Sequence, residues 1–149
     1  MQTAQTPSAD LGPQRGRTIL LIEDSATIRI FLKNLFLRAM PGSLIVEAAE
    51  GRAALNEMTR TKADLIVTDL QMPGMDGRSF IAKLRSNGLL RKKSVLVLSG
   101  DDIADLQALY RDDAGIRFLR KPSGAESILE AAHALLAPLA PTPLIGELP

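Results

Sequence analysis

The sequence predicts an α/β fold made of five consecutive βα units. Short apolar segments alternate with longer amphipathic segments along most of the chain. Each amphipathic segment is long enough to cross from one strand to the next, and crossovers of this length enforce parallel strand pairing with right-handed connections. The predicted strands cover residues 19–22, 44–46, 65–67, 95–98 and 116–119.

The composition of these segments separates central strands from edge strands. Four of the five are rich in β-branched residues, and all are as short as strands usually are. Segments 19–22, 65–67 and 95–98 are apolar at consecutive positions, which is typical of strands covered by helices on both faces. The segment 116–119 and its flanks, IRFLRK, carry more charge, so we predict an edge strand there.

The intervening segments have helical periodicity. Between residues 25 and 40, apolar side chains fall on one stripe at helical spacing, and Ser25 can cap the start of that helix. The stripe consists of Ile28, Leu32, Leu35 and Phe36. Further helices are predicted over 50–60, 77–87, 101–113 and 123–137, with Asn87-Gly88 as a helix stop.

Composition limits the classes of function that the chain can have. With no cysteine among its 149 residues, it has no disulfide, no thiolate metal site and no cysteine nucleophile. A net charge of +1 produces no strong field for nucleic acid or membrane partners. The first 17 residues lack the apolar stretch of a signal peptide, and no segment has the length of a membrane span. We therefore expect a soluble cytoplasmic protein with neither kind of partner.

The chain is predicted to hold one domain between two tails. Residues 1–17 lack periodicity and are expected to be a flexible N-terminal tail, followed by a domain over 18–137. Residues 138–149 form a Pro-rich C-terminal tail, whose prolines prevent the last helix from continuing. Within it, Leu144-Ile145 could dock on the domain or on a partner, although disorder is favoured.

Polar side chains follow four of the predicted strands. In an open parallel sheet, function gathers at the carboxyl ends of the strands, which share one edge. The groups expected at this edge are Glu23-Asp24, Asp69, Ser99-Gly100 and Lys121-Pro122.

This set of groups suits phosphoryl transfer with a divalent cation. Crowded carboxylates repel one another, and a cation relieves the repulsion. Mg²⁺ prefers carboxylate, carbonyl and water ligands, and Mn²⁺ is a possible substitute. The candidate ligands are Glu23 or Asp24, Asp69 and the backbone carbonyl of Gln71. A carboxylate can attack phosphorus, while Lys121 neutralises charge and Ser99 donates to a phosphoryl oxygen. Gly100 leaves room for that group.

The chain resembles the response-regulator receiver family over about residues 18–137. The motifs that carry the resemblance are LLIEDSATIR, IVTDLQMPGMDG, VLVLSG and FLRKP. It implies a flavodoxin-like three-layer fold with strand order 2-1-3-4-5. It also implies that Asp69 is the phosphoacceptor and that Glu23 and Asp24 are the acidic metal-binding pair.

The resemblance assigns further roles. Ser99 would be the switch hydroxyl, Lys121 the phosphate-contacting lysine with a cis bond to Pro122, and Phe118 the switch aromatic. Phe118 departs from a tyrosine in lacking the hydroxyl that could bind a partner. Gln71 and Asp101 lie where the family tunes access of the hydrolytic water.

The implied function is a stand-alone signalling module. A histidine kinase or a histidine phosphotransfer protein would donate a phosphoryl group to Asp69. The surface formed by the fourth helix, fifth strand and fifth helix would then change, controlling a downstream target that the sequence does not identify. A monomer or weak dimer is expected, acting as a self-dephosphorylating switch and not as a turnover enzyme.

Several alternatives compete with these assignments. An aspartate-nucleophile phosphohydrolase usually has a second Asp two residues after the nucleophile, where this chain has Gln71. A degenerate receiver that acts as a scaffold is opposed by the intact acidic, Ser and Lys positions. Glu23-Asp24 could merely cap a helix. We interpret His133 as solvent-facing and not a phosphorelay histidine, and 91–93 (RKK) as a solvated loop.

Overall fold

The structure, a computed structural model, describes residues 16–71, 74–75, 77–88, 91–100 and 102–137. The predicted tails lie almost wholly outside these ranges, as do Leu144 and Ile145. The strands are β1 Thr18–Ile22, β2 Leu44–Ala48, β3 Leu65–Asp69, β4 Val95–Ser99 and β5 Ile116–Arg120. The helices are α1 Ala26–Ala39, α2 Gly51–Met58, α3 Gly77–Ser86, α4 Ala104–Leu109 and α5 Ala125–Leu136. In these described ranges, none of the helices has the length and apolar character needed to cross a membrane.

The five strands form one parallel sheet in the order β2-β1-β3-β4-β5, which confirms the predicted fold class and strand order. All five residues of β3 and of β4 are buried, whereas β2 and β5 lie at the edges with exposed positions such as Leu44 and Arg117. The division into central and edge strands that the apolar runs predicted is therefore correct.

Helices cover both faces of the sheet and make three layers. Alternate strand side chains point to opposite faces, so each strand contributes to two cores. One core packs under α2, α3 and α4 and includes Leu20, Ile66, Val97, Ala54, Phe80 and Leu106. The other packs under α1 and α5 and includes Leu21, Val67, Leu96, Leu32, Phe36 and Ile128.

The start of α1 is as predicted, because the Ile28 amide donates to Ser25 Oγ at 3.3 Å. The fourth helix, in contrast, is much shorter than the predicted 101–113. The Asp102 side chain accepts the Ala104 amide at 2.9 Å and sets a late start. After Leu109 the chain turns, with the Asp113 amide donating to the Tyr110 carbonyl at 3.0 Å. Local hydrogen bonds of this kind compete with helix continuation.

The basic run before β4 is only partly the solvated loop that we predicted. Arg91 and Lys92 are exposed, but Lys93 is half-buried and its Nζ donates to the Ala63 carbonyl at 3.0 Å. The prediction was wrong for Lys93, because its ammonium satisfies a backbone carbonyl that lies just before β3. His133 is exposed on α5, as predicted.

Candidate functional site

The predicted acidic pair lies directly after β1, at the carboxyl edge of the sheet. The Glu23 amide donates to the Ala48 carbonyl at 3.1 Å, which extends the β1–β2 pairing by one residue. The Glu23 side chain is 3% exposed, and its Oε2 accepts the Ser25 amide at 3.1 Å. Asp24, the next residue, is exposed. The two acids therefore present one buried and one open carboxylate.

Asp69 is the last residue of β3 and is 6% exposed. Its Oδ1 accepts the Gln71 amide at 3.2 Å. The segment that follows Asp69 lies close to the start of α3, where the Gly77 amide donates to the Leu70 carbonyl at 2.8 Å. A Cβ on Gly77 would lie 2.5 Å from Leu70 Cα and 2.9 Å from the Asp69 carbonyl oxygen. Only glycine lets α3 begin this close to Asp69.

Lys121 follows β5 and points toward Glu23 and Asp69, so that these three side chains and Asp24 line one pocket. Its amide donates to the Ser99 carbonyl at 2.7 Å, and its bond to Pro122 is cis, as the resemblance implied. Its Nζ lies 3.1 Å from Asp69 Oδ2 and 3.2 Å from Glu23 Oε1. The ammonium group therefore joins two carboxylates that come from different strands.

The charges of this pocket alter its acid–base properties. Burial raises the pKa of Glu23 above its ordinary value, and the charge of Asp69 adds to the effect, although the Ser25 amide and Lys121 oppose it. For Lys121, burial alone would lower the pKa. The hydrogen bonds and charges of Asp69 and Glu23 outweigh burial and raise the pKa. Lys121 consequently stays protonated, whereas Glu23 resists ionisation.

The three carboxylates are placed to share a cation. Glu23, Asp24 and Asp69 each offer one oxygen, and these oxygens lie within 4.8 Å of one another. Carboxylate oxygens are the donors that hard divalent cations prefer, so the donor set fits Mg²⁺. Gln71, whose carbonyl was the predicted additional ligand, is the residue whose amide bonds to Asp69, so it lies at the rim of the same pocket.

Ser99 and Phe118 lie along one face of neighbouring strands. Ser99 ends β4 and is fully buried, one residue beyond the level at which Asp69 pairs with Leu98. Phe118 pairs with Val97, two residues before Ser99, so strand alternation places both side chains on the same face. Phe118 is half-buried against the core beneath α2, α3 and α4. Among the described residues, the candidate acids, Ser99 and Lys121 therefore lie at the carboxyl edge of the sheet, and Phe118 lies two residues before that edge on the face of Ser99.

A groove lies on the surface beside Phe118. Its volume is about 460 Å³, and it runs between the end of α4, the strand β5 and the helix α5. The residues that line it include Tyr110, Arg111, Arg117, Phe118 and Ala131. It therefore combines two aromatic rings with two cationic side chains.

Arg29 also contacts the acidic pair, although it was not among the predicted site residues. Arg29 lies on α1, and its Nη1 donates to the Glu23 carbonyl at 2.6 Å. The helical pattern of residues 25–40 was used only to find apolar positions. A charged residue that lies off the apolar stripe is indistinguishable, in sequence, from one that is simply solvated. A weak signal was available, because an arginine five positions after an acidic pair lies within reach of the loop that carries it.

Residues 19–133 match the family model of the response regulator receiver domain. The chain is similar to the nitrate/nitrite response regulator NarL of Escherichia coli, with 33% identity over 80% of this chain and 55% of that protein. It is also similar to the chemotaxis protein CheY of Pseudomonas aeruginosa, with 32% identity over 75% of this chain and 90% of that protein. This chain therefore spans about half of NarL but most of CheY.

Solved structures agree with this likeness. A signal receiver domain of a signal transduction histidine kinase from Syntrophus aciditrophicus has a TM-score of 0.73 and 28% identity, covering 87% of this chain and 97% of that one. The chemotaxis response regulator CheY4 of Vibrio cholerae has a TM-score of 0.71 and 25% identity, covering 81% and 99%. These likenesses favour a receiver over the aspartate-nucleophile phosphohydrolase that the sequence had left open. The chain belongs to the response regulator receiver domain family.

Proposed function

We propose that this receiver domain takes up a phosphoryl group on Asp69 from a histidine kinase or a histidine phosphotransfer protein. The observation that carries the proposal is the contact between Asp69 Oδ2 and Lys121 Nζ at 3.1 Å, within the cluster of three carboxylates. A nearly buried carboxylate beside a fixed ammonium group can act as nucleophile, while the ammonium group meets the charge of the incoming phosphate.

In the proposed reaction a carboxylate oxygen of Asp69 attacks the phosphorus of a phosphohistidine. An O–P bond forms as the N–P bond breaks, and the electron pair of that bond stays on the imidazole nitrogen, which then takes up a proton. In the reverse switch, water attacks the phosphorus of the acyl phosphate. The bond to Asp69 breaks, and inorganic phosphate and the free carboxylate are released.

The residues around Asp69 supply charge and position. Lys121 neutralises the charge of one phosphoryl oxygen, and the Ser99 hydroxyl donates a hydrogen bond to another. Glu23, Asp24, Asp69 and the carbonyl of Gln71 would hold Mg²⁺, or Mn²⁺ in its place. When bound, the cation would supply Lewis-acid neutralisation of the phosphoryl charge.

The switch would pass from Ser99 to Phe118. When Ser99 moves toward the phosphoryl group, space opens on the face that it shares with Phe118, and the ring turns inward. Because Phe118 lines the groove of α4, β5 and α5, its movement changes that surface. A downstream partner that binds the groove would thereby sense the state of Asp69.

We also propose the bounds of the domain, its location in the cell and its assembly state. The receiver domain covers residues 18–137, with tails over 1–17 and 138–149, and acts in the cytoplasm as a monomer or weak dimer. It is a self-dephosphorylating switch with protein partners only, and not a turnover enzyme. The absence of cysteine and the weak net charge of +1 support this assignment.

Incubation of the full chain with acetyl phosphate and Mg²⁺ tests the proposal. We expect the intact mass to increase by one phosphoryl group, and the increase to vanish in Asp69→Asn. Asp112→Asn is the matched control, because Asp112 is exposed and lies outside the pocket. Sustained release of phosphate at a rate typical of a turnover enzyme would favour the phosphohydrolase. Unchanged uptake in Asp69→Asn would refute the assignment of Asp69.

A further inference from the structure

We propose that Arg29 is a positioning residue for the acidic pair, and that Glu47 on the edge strand β2 holds Arg29 in place. Arg29 would fix the peptide that joins Glu23 to Asp24 and thereby set the affinity of the site for a divalent cation. This inference rests on the proposed function, because it assumes that the carboxylate cluster binds Mg²⁺.

Arg29 bridges the end of β1 and the neighbouring edge strand β2. Its Nη1 donates to the Glu23 carbonyl at 2.6 Å, and its Nε donates to Glu47 Oε1 at 3.0 Å. The Arg29 side chain is 21% exposed and the Glu47 side chain 35%, so the bridge is partly shielded from water. A guanidinium group reaches two acceptors in fixed directions because its planar donors are rigid.

The contact between Arg29 and Glu23 matters because Arg29 donates to the backbone carbonyl of Glu23 and not to its side chain. The Glu23 carbonyl belongs to the peptide bond that links Glu23 to Asp24, so it sets the direction in which Asp24 leaves β1. The Glu23 amide is tied separately to the Ala48 carbonyl at 3.1 Å. The backbone of Glu23 is therefore held from both sides, by β2 through its amide and by Arg29 through its carbonyl.

This hold opposes a force that the pocket itself creates. Three carboxylates with oxygens within 4.8 Å of one another repel in the absence of a cation. Glu23 is buried and packed, whereas Asp24 is exposed and has room to swing away. Rotation of the peptide between them would relieve the repulsion and dismantle the cation site, and the bond from Arg29 resists that rotation.

Glu47 is well suited to hold Arg29. Its second oxygen accepts Lys33 Nζ at 3.2 Å, one helical turn beyond Arg29. Hydrogen bonding from Lys33, together with that from Arg29, lowers the pKa of Glu47 below its ordinary value. The carboxylate therefore stays charged throughout the neutral range.

Positioning and simple electrostatics predict opposite results. Arg29 adds positive charge near the pocket, so if charge were its only effect, its removal would strengthen cation binding. If Arg29 positions the acids, its removal weakens binding. Arg29→Lys keeps the charge but loses the rigid fork, and the positioning role predicts weaker binding there as well.

Calorimetric titration of the full chain with Mg²⁺ decides between the two. We expect Arg29→Met to weaken binding by about ten-fold or more, as is typical when a group that supports a metal ligand is lost. Arg29→Lys and Glu47→Gln should weaken it in the same direction. Lys33→Met is the matched control, since it removes a charge from the same helix and one bond to Glu47 but leaves the bond from Arg29 to the Glu23 carbonyl. It should therefore weaken binding much less than Arg29→Met.

The outcomes separate this inference from the proposed function. Asp24→Asn serves as the reference for loss of the site. If the wild type binds Mg²⁺, Asp24→Asn does not, and Arg29→Met binds as tightly as the wild type or more tightly, the positioning role is wrong while the cation site stands. An equal loss in Lys33→Met also overturns it. If the wild type itself binds no Mg²⁺, both proposals fail.

Thermal melts of each variant show that affinity is compared between folded proteins. Glu47→Gln tests the positioning role while the Arg29 side chain is still present.

Discussion

Lys121 Nζ lies 3.1 Å from Asp69 Oδ2, although 52 positions separate the two residues in the chain. The contact spans two strands, because Asp69 ends β3 and Lys121 follows β5, with β4 between them. The Lys121 amide is bonded to the Ser99 carbonyl at the end of that middle strand. A change of charge at Asp69 therefore acts on Lys121 by direct contact, and through the Lys121 amide it acts on the backbone of β4 at Ser99.

Removal of the lysine should separate phosphorylation from the surface change. In Lys121→Ala we expect Asp69 still to be phosphorylated, more slowly, and Mg²⁺ binding to stay largely intact. The amide signals of β5 should shift much less than in the wild type, because no ammonium group links the phosphoryl charge to that strand and only the movement of Ser99 and Phe118 remains. NMR spectra with and without acetyl phosphate measure this. Lys92→Ala, at an exposed position, is the control, and a full β5 shift in Lys121→Ala would contradict the coupling.

Glu23 should destabilise the cation-free protein at neutral pH. Burial and the charge of Asp69 raise the pKa of Glu23 in the folded state above its unfolded value of about 4.5. The contribution of Glu23 to the free energy of unfolding is therefore most favourable below pH 4.5, and it is lost as the pH rises through the raised pKa. In a chelating buffer, Glu23→Gln should therefore unfold at a higher temperature than the wild type at pH 7. The difference should shrink toward pH 4. A wild type that melts above Glu23→Gln at pH 7 would show the opposite sign.

The partly buried ion pair between Arg85 and Asp113 should matter for stability but not for cation binding. Arg85 Nε lies 2.6 Å from Asp113 Oδ2, and its Nη2 also donates to the Lys93 carbonyl at 2.9 Å. We expect Arg85→Met to lower the free energy of unfolding by about 2 kcal/mol, because Asp113 and the Lys93 carbonyl both lose the hydrogen bonds that Arg85 donates. Denaturant titration measures the loss.

A second ion pair is the control for Arg85. Arg78 lies 3.3 Å from Asp105, and both side chains are well exposed. Exposed pairs contribute little, so Arg78→Met should change stability by about 0.5 kcal/mol or less. If the two variants lose equal stability, partial burial gives the Arg85 pair no advantage over an exposed pair, and its structural role is refuted.

Gly77→Ala should damage the site through packing. The added Cβ would meet Leu70 Cα at 2.5 Å, so α3 must move away from the chain that follows Asp69. We expect a loss of about 1–3 kcal/mol, typical of overpacking, together with slower phosphorylation. Gly88→Ala, whose added Cβ meets nothing described within 4 Å, should be nearly neutral. Equal effects of the two changes on phosphorylation would argue against this role for Gly77.

Most of the fold could be predicted because it rests on local patterns. Apolar runs gave the strands, their charge content distinguished edges from centre, and periodicity with Ser25 placed α1. The fourth helix was overestimated because side-chain caps and turns, seen in the bonds of Asp102 and Asp113, outweighed its helical pattern. Asp101, which the resemblance connects with access of water, lies outside the described residues.

By itself, the sequence determined the order of the elements and the set of polar groups at the carboxyl edge, because strand ends and crossover rules depend on residue type and spacing alone. Only the tertiary structure decided which of those groups touch. Lys121 contacts both Glu23 and Asp69, Arg29 donates to the peptide between the acids, and Gly77 leaves room for Leu70. The physical reason is that such contacts depend on distances between residues far apart in the chain, which packing sets and local patterns do not contain.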